Sequence, residues 1–241
     1  KSGKATCILT GSCSDSGPYV WGGFDAMRIL PRKYNDNPTE ASRPMSASAA
    51  GFVPGSGAGA LVLESLDNAL KRGAKIYAEV LGGAINSGGQ RGDGSMTAPN
   101  SEAVQRCITQ AVKDAQIDLH EIDVINGHLT ATTKDALEVQ NWATALNCNG
   151  VNFPYINSFK GIFGHCLAAA GSIESVASIL QFKEGIIFGN INCEDLNPEI
   201  EAIVHHSKIP NKSIAYQPTI IAKASFGFGD VNACAIFKAY K

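Results

Sequence analysis

The chain has 241 residues, of which 44% are hydrophobic and only 17% charged. That length suffices for one large domain or two small ones with a substantial core. The charge fraction lies well below the roughly 25% usual in globular domains, as expected where other protein covers much of the surface. Twenty basic against 22 acidic side chains leave a formal charge of -2. This excludes a polycationic attraction to nucleic acid or anionic membrane and a charge-driven disordered chain, and no apolar run reaches the roughly 18 residues of a membrane span.

In chain order, residues 5–11 are a β-branched apolar run expected to form a buried strand. Residues 20–30 carry apolar side chains at helical spacing, and residues 35–56, with Pro38, Pro44 and Pro54, read as a long loop. A strand at 58–64, a helix at 66–72 and a long strand at 75–85 follow. After a Gly-rich loop at 88–100, Ser101 is expected to cap a helix that places Ala103, Val104, Cys107, Ile108, Ala111, Val112 and Ala115 on one face. Next come a strand at 122–126, a helix near 134–146, a strand near 154–158 and a helix at 166–183. The first half of that helix, Ala168-Ala169-Ala170-Gly171-Ser172, is small enough for close packing. Strands at 219–224 and 233–238 close an alternating pattern that argues for layered α/β architecture.

Seven cysteines stand at 7, 13, 107, 148, 166, 193 and 234. Their number is odd and no pair is spaced C-x-x-C, so neither a disulfide framework nor a zinc site is expected. They read as reduced thiols of a cytoplasmic protein with no metal. The opening Lys1-Ser2-Gly3-Lys4 lacks an initiator Met and a signal peptide, so Lys1 is not expected to be the natural start.

Of the five histidines, His120, His205 and His206 lie in polar stretches and read as solvated. His128 and His165 each follow a predicted strand, at the end where ligands sit in open α/β sheets. His165 also opens the 166–183 helix, whose positive end disfavours imidazolium; from spacing alone either ring is as compatible with a structural role. Lys160 sits among Phe159, Ile162 and Phe163 and needs a partner, for which Glu174 is the candidate. The segment from Phe226 to Asn232, containing Phe226-Gly227-Phe228-Gly229-Asp230, reads as a hairpin turn or a mobile gate. Gly55-Ser56-Gly57-Ala58-Gly59 lacks the Lys-Ser/Thr ending of a phosphate loop and precedes a strand, so that use is rejected.

Taken in order, Ala41-Ser42-Arg43-Pro44, Gly51-Phe52-Val53, Gly57-Ala58-Gly59, Arg72-Gly73-Ala74, Ile76-Tyr77-Ala78-Glu79, Met96-Thr97-Ala98-Pro99, Asn126-Gly127-His128-Leu129-Thr130-Ala131-Thr132, the stretch from Lys160 to Gly171, and that from Ser225 to Asn232 resemble the β-ketoacyl-[acyl-carrier-protein] synthases, condensing enzymes of the thiolase superfamily. The resemblance implies a thiolase-like αβαβα architecture, with 1–74 as the tail of the N-terminal half and 75–241 as the whole C-terminal half, roughly the last 60% of a synthase. It implies that His128 and His165 are the catalytic pair, supported by Lys160 and Glu174, and that Phe228 is the gating Phe whose N–H helps form an oxyanion hole. Thr97, Thr130 and Thr132 resemble the residues meeting pantetheine or malonyl, and Asp135 and Glu138 resemble the family's acidic pair, displaced by one residue. Leu129 stands where the family has Gly, and Asp230-Val231 replaces Gly-Thr; these departures suggest a divergent branch.

The implied reaction is the decarboxylative condensation of malonyl-carrier with an enzyme-bound acyl thioester, in fatty acid or polyketide synthesis. The only cofactor it implies is phosphopantetheine borne by the acyl carrier protein. The nucleophilic Cys is not matched: Cys13 follows the strand it should precede, and Cys166 stands where the family is apolar. A complementary chain carrying that Cys is therefore an expected partner, with the carrier protein and a homo- or heterodimer of synthase units; nucleic acid and membrane are not. The alternatives are a non-catalytic chain-length factor, whose kind tends to lose both histidines, and a thiolase, whose second Cys is missing from the Phe228-Gly229-Asp230 turn.

Overall fold

The computed structural model describes residues 1–15, 17–89, 96–97 and 99–241. Strand β1 (Cys7–Ser14) leads to helix α1 (Pro18–Ala26), and β2 (Gly57–Glu64) then returns antiparallel to β1. A short helix α2 (Leu66–Lys71), capped by the Ser65 hydroxyl, precedes β3 (Ala78–Ser87) and the amphipathic helix α3 (Ser101–Ala115). Then follow β4 (Val124–Asn126), α4 (Asp135–Leu146), β5 (Tyr155–Asn157), the short α5 (Lys160–Phe163) and the long α6 (Ala170–Glu184). A small hairpin, β6 (Ile186–Ile187) with β7 (Ile214–Ala215), encloses α7 (Pro198–Glu201), and β8 (Ile220–Gly227) and β9 (Val231–Ala239) complete the chain.

The main sheet has strand order β3-β9-β8-β4-β5; β4 is parallel to both β5 and β8, whereas β9 runs antiparallel to β8 and β3. Alternation along a strand sends neighbouring residues to opposite faces, and both faces are apolar here. Ile125, Ile220 and Ile236 join Val104, Ile108, Trp142 and Leu146 under α3 and α4, while Val124, Ile221 and Phe237 join Phe182 of α6 on the other face. Each such fully buried side chain contributes roughly 1.5–3 kcal/mol. Helix α6 also lies against β2, so the layers run helices, sheet, helix, two-stranded sheet.

The small residues predicted to allow close packing do so at the second contact. A Cβ on Gly59 would stand 2.7 Å from the backbone N of Ile173 in α6, and Ser12 of β1 meets Ser172 hydroxyl to hydroxyl at 2.7 Å. Gly55, in the rejected phosphate-loop stretch, serves the same end: its N–H donates to the His165 carbonyl at 2.9 Å, and a Cβ there would strike the Phe163 carbonyl at 2.4 Å.

Four expectations are corrected. The strand at β1 is exposed rather than buried, with Leu9 75% accessible. Helix α1 stops at Ala26, because Arg28 takes φ +58°, and buries none of its residues. The cap of α3 is Asn100, whose Oδ1 accepts from Ala103 N, although the seven residues predicted for its inner face are all buried. The expected helix at 166–183 begins as a 3-10 turn, Leu167–Ala169, with Leu167 at φ +46°, so the α-helix starts only at Ala170. The predicted loop at 88–100 lies in part outside the described residues.

Gly59→Ala is expected to lower stability by about 1–3 kcal/mol, because the α6 backbone has no room to yield. The urea midpoint reads this, and an unchanged midpoint would show that α6 and β2 can separate without cost.

Candidate active site

The segment after β4 carries His128 and is held by two acids from the first turn of α4. Glu138 accepts the N–H of His128 at 2.6 Å on one oxygen and that of Leu129 at 2.8 Å on the other. Asp135 accepts from Thr130 N (2.9 Å), Ala131 N (3.1 Å), Thr132 N (3.4 Å) and, across the layer, Met45 N (2.9 Å). This clamp fixes a strained backbone, with Leu129 at φ +24° and Ala131 at φ +62°. Leu129 nevertheless packs fully buried, and its carbonyl accepts from the Ser158 hydroxyl at 2.9 Å. Thr130 and Thr132 stand hydroxyl to hydroxyl at 3.1 Å on the half-buried side of the same loop.

His165 arrives from the other side. Its backbone is pinned to the 53–55 segment, N–H to Val53 O at 2.7 Å and carbonyl from Gly55 N. Its Nδ1 accepts the Leu167 N–H at 3.1 Å, so in the neutral ring the proton resides on Nε2, which becomes a donor. The rings of His128 and His165 stand 5.2 Å apart, nearly perpendicular at 83°, and Phe52 closes the far side of His165 at 5.1 Å. His128 Nδ1 is sealed from solvent with no hydrogen-bond partner among the described residues. Of its ring nitrogens, Nε2 alone is left to meet a ligand.

Beneath the rings, the buried carboxylate of Glu174 pairs with Lys160, as predicted, and with Lys223 of β8, which sequence reasoning missed; the second pair is 2.8 Å long. All three side chains are almost wholly enclosed. Burial opposes the charge on Glu174, but the two ammoniums outweigh it and hold the carboxyl below its usual range. Burial, with Lys160 and then the other ring and Lys223, drives His128 well down. Burial and Lys160 take His165 to about 3, Glu174 opposing. These forces, rather than the end of a helix, keep both rings uncharged. Burial lifts Glu138 to about 7 despite its bond from Leu129 N, and lifts Asp135 against its four backbone donors.

The expected gate is tighter than the 226–232 stretch suggested, because β8 extends through Gly227 and β9 begins at Val231. Phe228 is 44% exposed, with its ring 6.5 Å from that of Phe24. Gly229 N donates to the Met96 carbonyl at 2.9 Å, which places Thr97 in the segment bonded to the turn. Asp230, at φ +60°, accepts from Gly88 N on its carbonyl and from Asn100 N on its side chain. Cys166 is no substitute nucleophile: its sulfur faces the carbonyls of Ser56 and Phe163 at 3.6 Å, and burial pushes the thiol up.

Two neutral imidazoles above a buried ion cluster, at the strand ends of a layered α/β fold, suit stabilisation of an oxyanion. Sequence models agree with the architecture: "Beta-ketoacyl synthase, N-terminal domain" matches residues 1–69 and "Beta-ketoacyl synthase, C-terminal domain" matches residues 77–194. The chain belongs to the β-ketoacyl synthase family. It is 36% identical over its whole length to the chloroplastic 3-oxoacyl-[acyl-carrier-protein] synthase I of Arabidopsis thaliana, covering 50% of that protein. It is 37% identical to 3-oxoacyl-[acyl-carrier-protein] synthase 1 of Haemophilus influenzae, with 99% of the chain and 56% of the relative aligned. Among solved structures, a β-ketoacyl synthase from Burkholderia phymatum superposes with TM-score 0.90 at 30% identity, covering 99% of this chain and 56% of that one. A type II polyketide ketosynthase, solved with its acyl-carrier protein and a hexaketide, superposes with TM-score 0.89 at 32% identity, over 99% and 57%. The chain thus spans about half the length of these relatives.

Two outcomes follow from the charges. The unfolded chain, with His near 6.5, binds more protons than the folded one between about pH 3 and 6.5. Stability therefore rises with pH across that window and is lost as pH falls. Glu138, raised to about 7, acts in the opposite sense between its unfolded value near 4.5 and 7, as does Asp135, also raised, from its unfolded value near 3.8 upward, so the histidine contribution is read by removing one ring. Replacing His165 with Gln should flatten the gain in unfolding free energy between pH 4.5 and 6.5 by about 2 kcal/mol, measured by urea titration at each pH. Asp135→Asn turns one acceptor oxygen into a donor facing backbone N–H groups, and should cost about 2–3 kcal/mol in the same measurement at pH 7.

Proposed function

We propose that this chain supplies the two-histidine half of a β-ketoacyl-[acyl-carrier-protein] synthase, serving fatty acid or polyketide synthesis. The observation that carries this reading is the perpendicular pairing of His128 and His165 at 5.2 Å, both uncharged and His165 fixed as an Nε2–H donor. A malonyl thioester bound between them loses its carboxylate as CO2, and the electron pair of the broken bond moves into the thioester as an enolate. The two N–H donors stabilise the enolate oxygen. Its α-carbon then attacks the acyl thioester on the nucleophilic Cys, forming a carbon–carbon bond. The tetrahedral oxyanion is held by backbone N–H groups near Phe228, and collapse expels the thiolate and leaves a β-ketoacyl chain two carbons longer.

Thr130, Thr132 and Thr97 would contact the pantetheine arm or malonyl group, and Lys160, Glu174, Asp135 and Glu138 would hold the donors in place. The chain itself would hold no cofactor, because phosphopantetheine is attached to the carrier protein. The nucleophilic Cys belongs to the rest of the fold, on a complementary chain. The β1–β2 ribbon exposes the cross-strand pair Leu9–Val62 on the face away from α6 and the pair Ile8–Leu63 on the other, which supports a complementary region around it, and synthase units would pair as dimers. Seven free cysteines fit a reducing compartment such as the cytoplasm. Among the described residues no helix is long and apolar enough to cross a membrane. The division at residue 74 into half-folds is supported by the two separate family matches.

With the nucleophile-bearing region supplied, His128→Ala and His165→Ala should each slow CO2 release from malonyl-carrier by about 10²–10³-fold, the usual effect of losing one oxyanion donor. Acyl loading of the Cys should persist. Decarboxylation at the original rate in either variant would remove the assignment. Absence of CO2 release from the unmutated protein would favour a chain-length factor.

A further inference from the structure

Lys223 is the least expected charge in the molecule. The β8 run Ile220-Ile221-Ala222-Lys223-Ala224 is apolar on both sides, and its alternation sends Ile221 and Lys223 to the α6 face. Sheet register sets Lys223 beside Asn126, two residues before His128. From there its ammonium reaches the Glu174 oxygen that Lys160 does not hold, bonds the neighbouring Ala224 carbonyl and lies 3.2 Å from the Ser225 hydroxyl. One lysine would neutralise Glu174. Burial and Lys160 push Lys223 below its usual range, with Glu174 opposing; its ammonium is held by Glu174, the Ala224 carbonyl and the Ser225 hydroxyl, and two such cations on one enclosed carboxylate leave a positive charge in surplus.

The groups around that surplus come from every adjoining element: Lys160 of α5, Glu174 of α6, Glu138 and Asp135 of α4, and the two histidines. Glu138 also faces Lys223 electrostatically, but both its oxygens already accept backbone N–H groups of the His128 loop. Burial first, and then Lys160 with a smaller push from Lys223, turns both imidazoles away from protonation, so the positive charge near the site lies on the lysines. We propose that Lys223 is a second positioning cation of this site: it fixes Glu174 from the sheet side and supplies, behind two neutral donors, the positive charge that favours a carboxylate-bearing acyl group over an uncharged one. This rests on the condensing reading above, and it assigns to β8 the preference for malonyl over acetyl units.

The test uses the chain completed by its nucleophile-bearing region and two inert probes, malonyl- and acetyl-pantetheine in which an amide NH replaces the thioester sulfur. Lys223→Met should weaken the malonyl amide tenfold or more and leave the acetyl amide within twofold, and it should lower kcat for CO2 release more than it raises KM for acyl loading. Lys223→Arg, which keeps the charge, should keep the ratio of the two affinities. Equal weakening of both probes by Lys223→Met, or an unchanged ratio, would overturn the proposal while leaving the condensing reading intact. An unmutated protein that binds both probes equally would likewise overturn the proposal, whereas absence of CO2 release from it would overturn the condensing reading. Should Lys223→Met not fold, Lys223→Gln, which still donates to Ala224 and Ser225, carries the same comparison.

Discussion

In the reaction proposed above, two uncharged imidazole rings share one developing negative charge, and the feature on which this depends is that burial and the neighbouring lysines keep both rings neutral. Enclosure alone would discharge the rings. The lysines beneath them add to it, and the contact from Leu167 N decides which nitrogen of His165 bears the hydrogen. Electrostatic preorganisation of this kind needs no solvent rearrangement during the reaction, which is why such donors are worth far more here than in water. The ion cluster is costly in isolation; its value lies in fixing α5, α6 and β8 around a common point.

The loop that carries His128 shows the same logic at the level of backbone. Leu129 and Ala131 occupy conformations that L-residues avoid, at a cost on the order of 1–3 kcal/mol each. Six backbone-to-carboxylate contacts from Asp135 and Glu138 hold that conformation. Burial of the Leu129 side chain offsets part of the strain, so this conformation is tolerated by packing rather than by flexibility.

Much of this was legible in the sequence, for definable reasons. The α3 face was readable because seven apolar side chains repeat at 3.6-residue spacing; the strands before the two histidines marked them only as candidates, and their pairing was legible from the resemblance rather than from spacing. Asp135 and Glu138 were visible as a pair, although their work as backbone acceptors was not. Lys223 was not legible because its partner Glu174 lies on another element far away in sequence; a lone lysine in a β-branched run buried on both faces was the available signal. The β1 strand misled in the opposite direction: its composition shows fitness for burial and cannot show what covers it. Asn100 and Ser101 are both capping residues, and only the geometry of Ala103 N separates them.

The turn bearing Phe228 is latched at two neighbouring residues. Gly229 and Asp230 are both bonded to the segment that holds Gly88, Met96 and Asn100. Asp230 makes this turn a riveted joint rather than a free pivot. Swinging the aromatic ring therefore entails either breaking those bonds or carrying Gly88, Met96 and Asn100 along with it.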